Sequence, residues 1–339
     1  MIKKEYGYVL IDGITILLES DIISMRAKYV PLIVLGMMIL MTVIFVDTKL
    51  DQIHPTLLWR LSSHVVLDIV NGQEIETKKV RVGDIDMAYR IFGNGKPILL
   101  INGFSAPLDF WDPILLANLA SNHTVIVFDN RGIGNTTSGI KKFSISQFAN
   151  DTVGLLDALN VSKADVVGWS MGGMIAQKLT LLHPEKVDKL IIHASSCGGK
   201  QSVLPSEEVL MAAVTISNNP VDRIQKILPL LFPEMWRMQN PNYLEKLPKT
   251  AEVIPSETLD LQTEAILNWE GVCDKLNIIT QPTLVVVGTD DVFTPPSNSL
   301  LIAEKINGSR LVQIPGGGHG VMFQYPETLS RILQTFLLS

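Results

Sequence analysis

From about Lys78 to the C-terminus the chain repeats one unit, a short aliphatic run followed by a stretch with helical spacing. Strands that are apolar at every position must be covered on both faces, and helical crossovers achieve this when the strands run parallel. The pattern predicts an α/β fold with a mostly parallel central sheet flanked by helices. Six largely apolar runs are candidate buried strands: Pro97–Asn102 (PILLIN), Thr124–Asp129 (TVIVFD), Ala164–Trp169 (ADVVGW), Lys189–Ala194 (KLIIHA), Thr283–Gly288 (TLVVVG) and Arg310–Pro315 (RLVQIP). Val80 to Phe92, broken at Gly83-Asp84, reads as an opening hairpin. Between Ala194 and Thr283 lie about 90 residues, far more than one crossover helix needs. There, PSEEVLMAAV, PVDRIQKILPLLF and ETLDLQTEAILNW carry helical periodicity with Pro punctuation and no strong strand. A helical lid is therefore expected over residues 197–279, inserted into a domain spanning 78–339.

At 47% hydrophobic and 18% charged residues, the 339-residue chain can bury a large core and is not a disordered or collagen-like sequence. Its net charge of -6 argues against a nucleic-acid partner, since no general attraction to phosphate is expected. Cys197 and Cys273 are the only cysteines, too few for a disulfide-dense scaffold or a four-cysteine zinc site. One bridge between them is possible but unsupported by the sequence, and they leave the redox compartment undecided.

Mean hydropathy is +0.27, and about half of this surplus comes from Tyr29 to Val46. That uncharged 18-residue run would rise ~27 Å as a helix and has no amphipathic stripe, so it reads as a membrane anchor, with a signal segment as the alternative. No A-x-A-like cleavage site follows Val46, which favours an uncleaved anchor; a secreted, cleaved form is the competing outcome. Arg26 and Lys28 before the run, against Lys49 after it, place the main domain on the extracytoplasmic side. Residues 1–28 form an N-terminal extension that suits neither a second span nor an obvious domain, and Met25 could serve as the physiological start. Residues 47–77 read as a tether, with an amphipathic stretch from Asp51 to Ile75.

Gly168-Trp169-Ser170-Met171-Gly172 is a G-x-S-x-G motif, weak alone but here closing an apolar strand and opening the helical stretch MGGMIAQKLTLLH. A sharp turn there exposes the Ser170 Oγ, small flanking glycines let neighbouring backbone approach, and the helix N-terminus favours negative charge. After the last two strands come Asp290-Asp291 and Gly316-Gly317-Gly318-His319, so Ser, Asp and His all follow strand ends. His319 can take the Ser170 proton if a carboxylate fixes its tautomer, a role open to Asp290 or Asp291. The strand ending at Ala194 is followed by Ser195, Ser196 and Cys197, with no carboxylate. His123, His183 and His193 read as structural or surface residues.

In these motifs residues 78–339 resemble the α/β-hydrolase superfamily, specifically its capped serine hydrolases of small molecules. The family's G-x-x-D-x-x-x-P pattern falls on Gly288 to Pro295 and implies Asp291 as the orienting acid. Asp129 to Gly134 (DNRGIG) resembles its D-x-R-G-x-G loop, which shapes the rim of the site. The resemblance implies an oxyanion hole from the backbone N–H groups of Phe104 and Met171, with Asn102-Gly103 where His-Gly is usual. Ser105, next along, reads as a solvent-facing loop residue, with an auxiliary contact to the site as the alternative. Relatives that open halides or epoxides use Asp at the elbow, so Ser170 points to an acyl-enzyme.

Apolar residues surround these positions, and Trp169, Phe232, Met235, Trp236, Phe293 and Met322 are the candidate substrate contacts. Leu231 and Met238 are further apolar residues of the lid. The expected substrate is a small carboxylic ester or lactone with apolar groups, and the expected chemistry uses no metal or organic cofactor. Carbon–carbon hydrolysis and cofactor-free perhydrolysis share the same elbow. Outside enzymes, the alternatives are a ligand-binding receptor that retains the triad and a membrane protein whose outer domain docks partners. The sequence carries no statement about oligomeric state.

Overall fold

The structure is a computed structural model that describes residues 6–11, 14–19, 75–214, 227, 229–248 and 254–339. The chain divides into two compact units, Met1–Leu58 and Trp59–Ser339. In the first, β1 (Tyr6–Ile11) and β2 (Ile14–Glu19) pair antiparallel, with Ile11 opposite Ile14 and Tyr6 opposite Glu19. The extension, for which the sequence suggested neither a second span nor an obvious domain, thus contains a hairpin. The anchor expected at 29–46, and the tether as far as residue 74, lie outside the described residues. Among the described residues no helix is long and apolar enough to cross a membrane.

The second unit is built on one sheet of eight strands in the order β10-β9-β8-β7-β5-β6-β4-β3. The strands are β3 (Lys78–Val82), β4 (Ile85–Phe92), β5 (Lys96–Ile101), β6 (His123–Phe128), β7 (Ala164–Trp169), β8 (Val187–His193), β9 (Thr283–Gly288) and β10 (Arg310–Ile314). Only the β3–β4 and β4–β6 pairings are antiparallel. Strands β7 and β9 coincide with their predicted runs, and the expected opening hairpin is β3–β4. Strand β8 begins two residues earlier than expected, because Val187 already pairs with Ala164 of β7; Asp188 beside it forms ion pairs to Lys96 and Lys163.

Side-chain alternation sends Leu99 and Ile101 of β5 into one core and Ile98 and Leu100 into the other. Helices close both cores: α1 (Pro113–Ala120), α2 (Ile145–Ala158), α3 (Met171–Leu182), α7 (Pro296–Lys305), α8 (Val321–Gln324) and α9 (Pro326–Leu337). Local sequence sets their starts. Asp112 caps α1 by accepting from the Ile114 and Leu115 N–H groups, ahead of a helix-opening Pro113, and Ser144 caps α2 through the Gln147 N–H. Burial pushes the Asp112 carboxyl up to about 6, against the pull of those two N–H donors.

Between β8 and β9 the described segments are helical, with α4 (Glu207–Val214), α5 (Glu234–Gln239), α6 (Ser256–Leu267) and short 3-10 turns. The two roots of this insertion are fastened to each other. Cys197 and Cys273 form a disulfide with Cα atoms 5.0 Å apart, a pairing the sequence left unsupported. The Val272 N–H donates to the Cys197 carbonyl at 2.7 Å. Gly198 (φ +69°) and Gly271 (φ +84°) meet so closely that a Cβ on Gly271 would stand 2.4 Å from the Gly198 carbonyl carbon. Only glycine fits that crossing.

Candidate active site

Strands β5 and β7 lie side by side although β6 intervenes in sequence, so the chain leaves β5 toward one edge and returns on the other side. A crevice opens at the strand C-termini where connections diverge in this way. Ser170 sits there, directly after β7, with φ +57° and ψ -120°. A non-glycine residue at such angles is strained, and the surroundings must hold it. Its N–H donates to the His193 carbonyl at 2.9 Å, and its own carbonyl accepts from the Gly173 N–H and the Ser195 hydroxyl. The elbow also needs bare backbone on both sides. A Cβ on Gly168 would lie 2.3 Å from the Gly172 carbonyl oxygen, and one on Gly172 would lie 2.0 Å from that of Ile101.

His319 follows β10 and Asp291 follows β9, and both are buried. The Ser170 Oγ is 2.9 Å from His319 Nε2, while His319 Nδ1 is 2.9 and 3.1 Å from the two Asp291 oxygens. An ionised carboxylate only accepts, so the proton belongs on Nδ1 and Nε2 is left to accept from the Ser170 hydroxyl. Asp291 is itself held by the Phe293 and Thr294 N–H groups at 2.9 Å and the Thr294 hydroxyl at 2.7 Å. Asp290 is exposed and accepts from the adjacent Thr289 hydroxyl, so the geometry separates two acids that the spacing alone left equivalent.

The indole of Trp169 donates to the His319 carbonyl at 3.1 Å, and its ring lies 5.3 Å from the imidazole. Phe293 flanks the imidazole at 5.2 Å. Phe232 and Trp236 stack 5.2 Å apart, Phe232 reaches Phe323 of α8, and Met322 is fully buried in the same core. The Leu231 carbonyl accepts from the Gly320 N–H, seating that part of the insertion on the histidine loop. Of the lid methionines, the candidate contact Met235 is 67% exposed and Met238 71%; on α5, Met235 lies about 100° around the helix from buried Trp236.

Gly103 brings the loop after β5 against the nucleophile, since a Cβ there would stand 3.0 Å from that of Ser170. Asn102, at the position where the family uses His, is fully buried and donates through Nδ2 to the Pro107 carbonyl at 2.7 Å, holding the loop from inside. Met171 opens α3, so its N–H is one of the four that a helix leaves without an intrahelical partner. Ser105 differs from the sequence expectation, being half-buried, at φ +57°, with its N–H donating to Gln262 Oε1 of α6 at 2.9 Å.

The DNRGIG loop is braced from below. Arg131 is fully buried and makes paired bonds to both Asp84 and Asp151, and its guanidinium holds the Asp84 carboxyl far below the usual range. The Asp129 carboxylate accepts from the Leu108 and Asn135 N–H groups, tying this loop to the one after β5.

His193, paired in register with Trp169, is buried beside the site, and its Nε2 has no partner among the described residues. Burial first, and then the nearby His319, push it down to about 3, so this second imidazole stays neutral and does not compete for the proton. Among the described residues no cluster of three or more His, Cys, Asp or Glu could hold a metal ion.

Comparison with known proteins agrees with this architecture. The family described as alpha/beta hydrolase fold matches residues 96–239, and that described as TAP-like protein matches residues 270–339. RutD of Azorhizobium caulinodans, named as a carbamate hydrolase, is 30% identical over 258 residues, covering 75% of this chain and 96% of that protein. BpoC of Mycobacterium tuberculosis, named as a non-heme bromoperoxidase, is 28% identical, covering 75% and 98%. Among solved structures, Est816, described as an N-acyl homoserine lactone degrading enzyme, is 29% identical with a TM-score of 0.65, covering 76% of this chain and all of that one. A serine–histidine–carboxylate relay at the strand ends of a mostly parallel sheet belongs to a class of hydrolytic enzymes. The chain is a member of the α/β-hydrolase family.

Proposed function

We propose that the protein is a serine hydrolase that cleaves carboxylic esters or lactones carrying apolar groups. The observation that carries this reading is the unbroken relay from Ser170 Oγ through His319 to Asp291, with 2.9 Å at each step. In the reaction His319 Nε2 takes the hydroxyl proton as Oγ attacks the carbonyl carbon. The Phe104 and Met171 N–H groups receive the developing oxyanion, with Met171 at the positive end of α3. Asp291 stabilises the imidazolium, which returns its proton to the departing alkoxide. Water, deprotonated by the same imidazole, then releases the acid. In this reading the insertion is a lid, and Trp169, Phe232, Trp236, Phe293 and Met322 form the apolar wall that receives the substrate.

The likeness to BpoC favours one second reading, in which hydrogen peroxide replaces water in the last step and the acyl-enzyme leaves as a peracid. Initial rates on p-nitrophenyl esters of graded acyl length, with and without peroxide and beside Ser170→Ala, test both. Rates that vanish in the variant support the serine hydrolase, and the chain-length optimum measures the apolar wall. A folded protein with no Ser170-dependent ester cleavage would overturn the proposal.

We further propose that residues 29–46 anchor the enzyme with the catalytic domain outside the cytoplasm, supported by the uncharged run and its flanking charges. Full-length protein released from membranes by alkaline carbonate would sink that proposal.

A further inference from the structure

Gln262 lies on α6, toward the end of the insertion, on the buried stripe formed with Thr258, Leu259 and Ala265. The same face meets the core beside the site. Ala265 belongs to the core that holds Met171 and Phe104, and Thr258 would lie 3.0 Å from a Cβ on Gly132 of the DNRGIG loop. Gln262 is fully buried, and its Oε1 accepts from the Ser105 N–H at 2.9 Å across 157 residues of sequence. A backbone N–H requires an acceptor, which fixes which end of the carboxamide is which. The other end, Nε2, is buried without a partner among the described residues. An orphaned buried donor is destabilising, so an apolar side chain of the same length would serve packing better. What the amide adds is the bond to Ser105.

That bond reaches a sensitive place. Ser105 has φ +57°, an angle that strains a non-glycine residue, and it directly follows Phe104, whose N–H is assigned above to the oxyanion hole. We propose that Gln262 is a positioning residue that sets the Phe104 N–H by holding Ser105, so that seating the insertion helix and completing the oxyanion hole are one event. This inference rests on the serine-hydrolase reading. It places the largest effect of the amide on the transition state, where the oxyanion exists, and little on binding of the ground state.

The test is Gln262→Met, with kcat counted per active site titrated by a phosphonate that labels Ser170, and with the thermal midpoint measured alongside. The expected result is a kcat lower by about 10–100-fold, with KM within about threefold, in protein that melts near wild type. Gln262→Glu restores an acceptor of the same length. While neutral it recovers most of kcat, and as pH rises its ionisation beside the forming oxyanion adds a descending limb that wild type lacks. A Gln262→Met enzyme with kcat per titrated site within twofold of wild type overturns the inference, as does a Gln262→Glu profile parallel to wild type. If the phosphonate fails to label wild type at Ser170, the serine-hydrolase reading itself has failed.

Discussion

Asp291 and His319 stand at the ends of β9 and β10, whereas Phe232, Trp236 and Gln262 stand on the insertion that enters after β8 and leaves before β9. The first group inherits its position from strand pairing: Gly288 is in register with Ile314, and the loops that follow are only a few residues long. The second group reaches the same place through tertiary contacts made one at a time, such as the Leu231 carbonyl on Gly320 and the Gln262 amide on Ser105. Groups on the sheet are fixed by the fold itself. Groups on the insertion are fixed by seating, and chemistry that needs both depends on the weaker of the two.

The largest effect expected on the sheet side is loss of the base. His319→Ala should lower kcat by about 10⁴-fold or more while the thermal midpoint moves only a few degrees, because strand pairing holds the site without it. Ester turnover near the wild-type rate in the folded variant would end the assignment. On the insertion side, the disulfide closes a loop with a sequence separation of 76, worth about 4.5 kcal/mol on the loop-entropy account. Reduction, or Cys197→Ser with Cys273→Ser, should lower the urea midpoint and expose the insertion to trypsin before the sheet. An unchanged midpoint, or cleavage in the sheet first, would show that the two regions do not differ in this way.

A smaller effect separates the regions by pH. The folded His193, at about 3, lies below its ordinary 6.5, so between those values the unfolded chain binds a proton that the native state refuses. Stability should fall as pH drops below about 6.5, by up to about 1.4 kcal/mol per unit, and His193→Gln should remove that dependence. Asp112, raised to about 6, acts in the opposite sense, losing its share of stability as pH rises through the interval between 3.8 and 6. The difference between variant and wild type therefore carries the test, and parallel curves from pH 4 to 7 would refute it. Smallest of all, Met235→Ser should change stability by less than about 0.5 kcal/mol and leave KM within about twofold, since its side chain faces solvent. A several-fold rise in KM would restore it to the substrate wall.

The same division governs what could be read in the sequence. The strands were legible because β7 and β9 are buried at every position, and such runs have few alternative folds. Ser170 and the pair Asp290-Asp291 were legible because each follows such a strand, and His319 because it comes third in the order Ser, Asp, His, after the edge strand β10; burial then separated the two acids. Gln262 carried a readable signal that went unused: it falls three residues after Leu259 and three before Ala265, on the helix's apolar stripe. The N-terminal hairpin had one too, in Asp12-Gly13 between two β-rich hexapeptides, a dipeptide common in tight hairpin turns. The burial of His193 and the pairing of the two cysteines left no mark in spacing, since both arise where segments distant in sequence meet.

The fastening at Cys197 and Cys273 makes the insertion a cassette. Its two ends approach to 5.0 Å, little more than the 3.8 Å between consecutive Cα atoms, so a link of one or two residues could span the gap if everything between were removed or exchanged. Substrate preference could then be rewritten between those two points, by a shorter or a foreign segment, while Ser170, Asp291 and His319 keep the register that the sheet gives them.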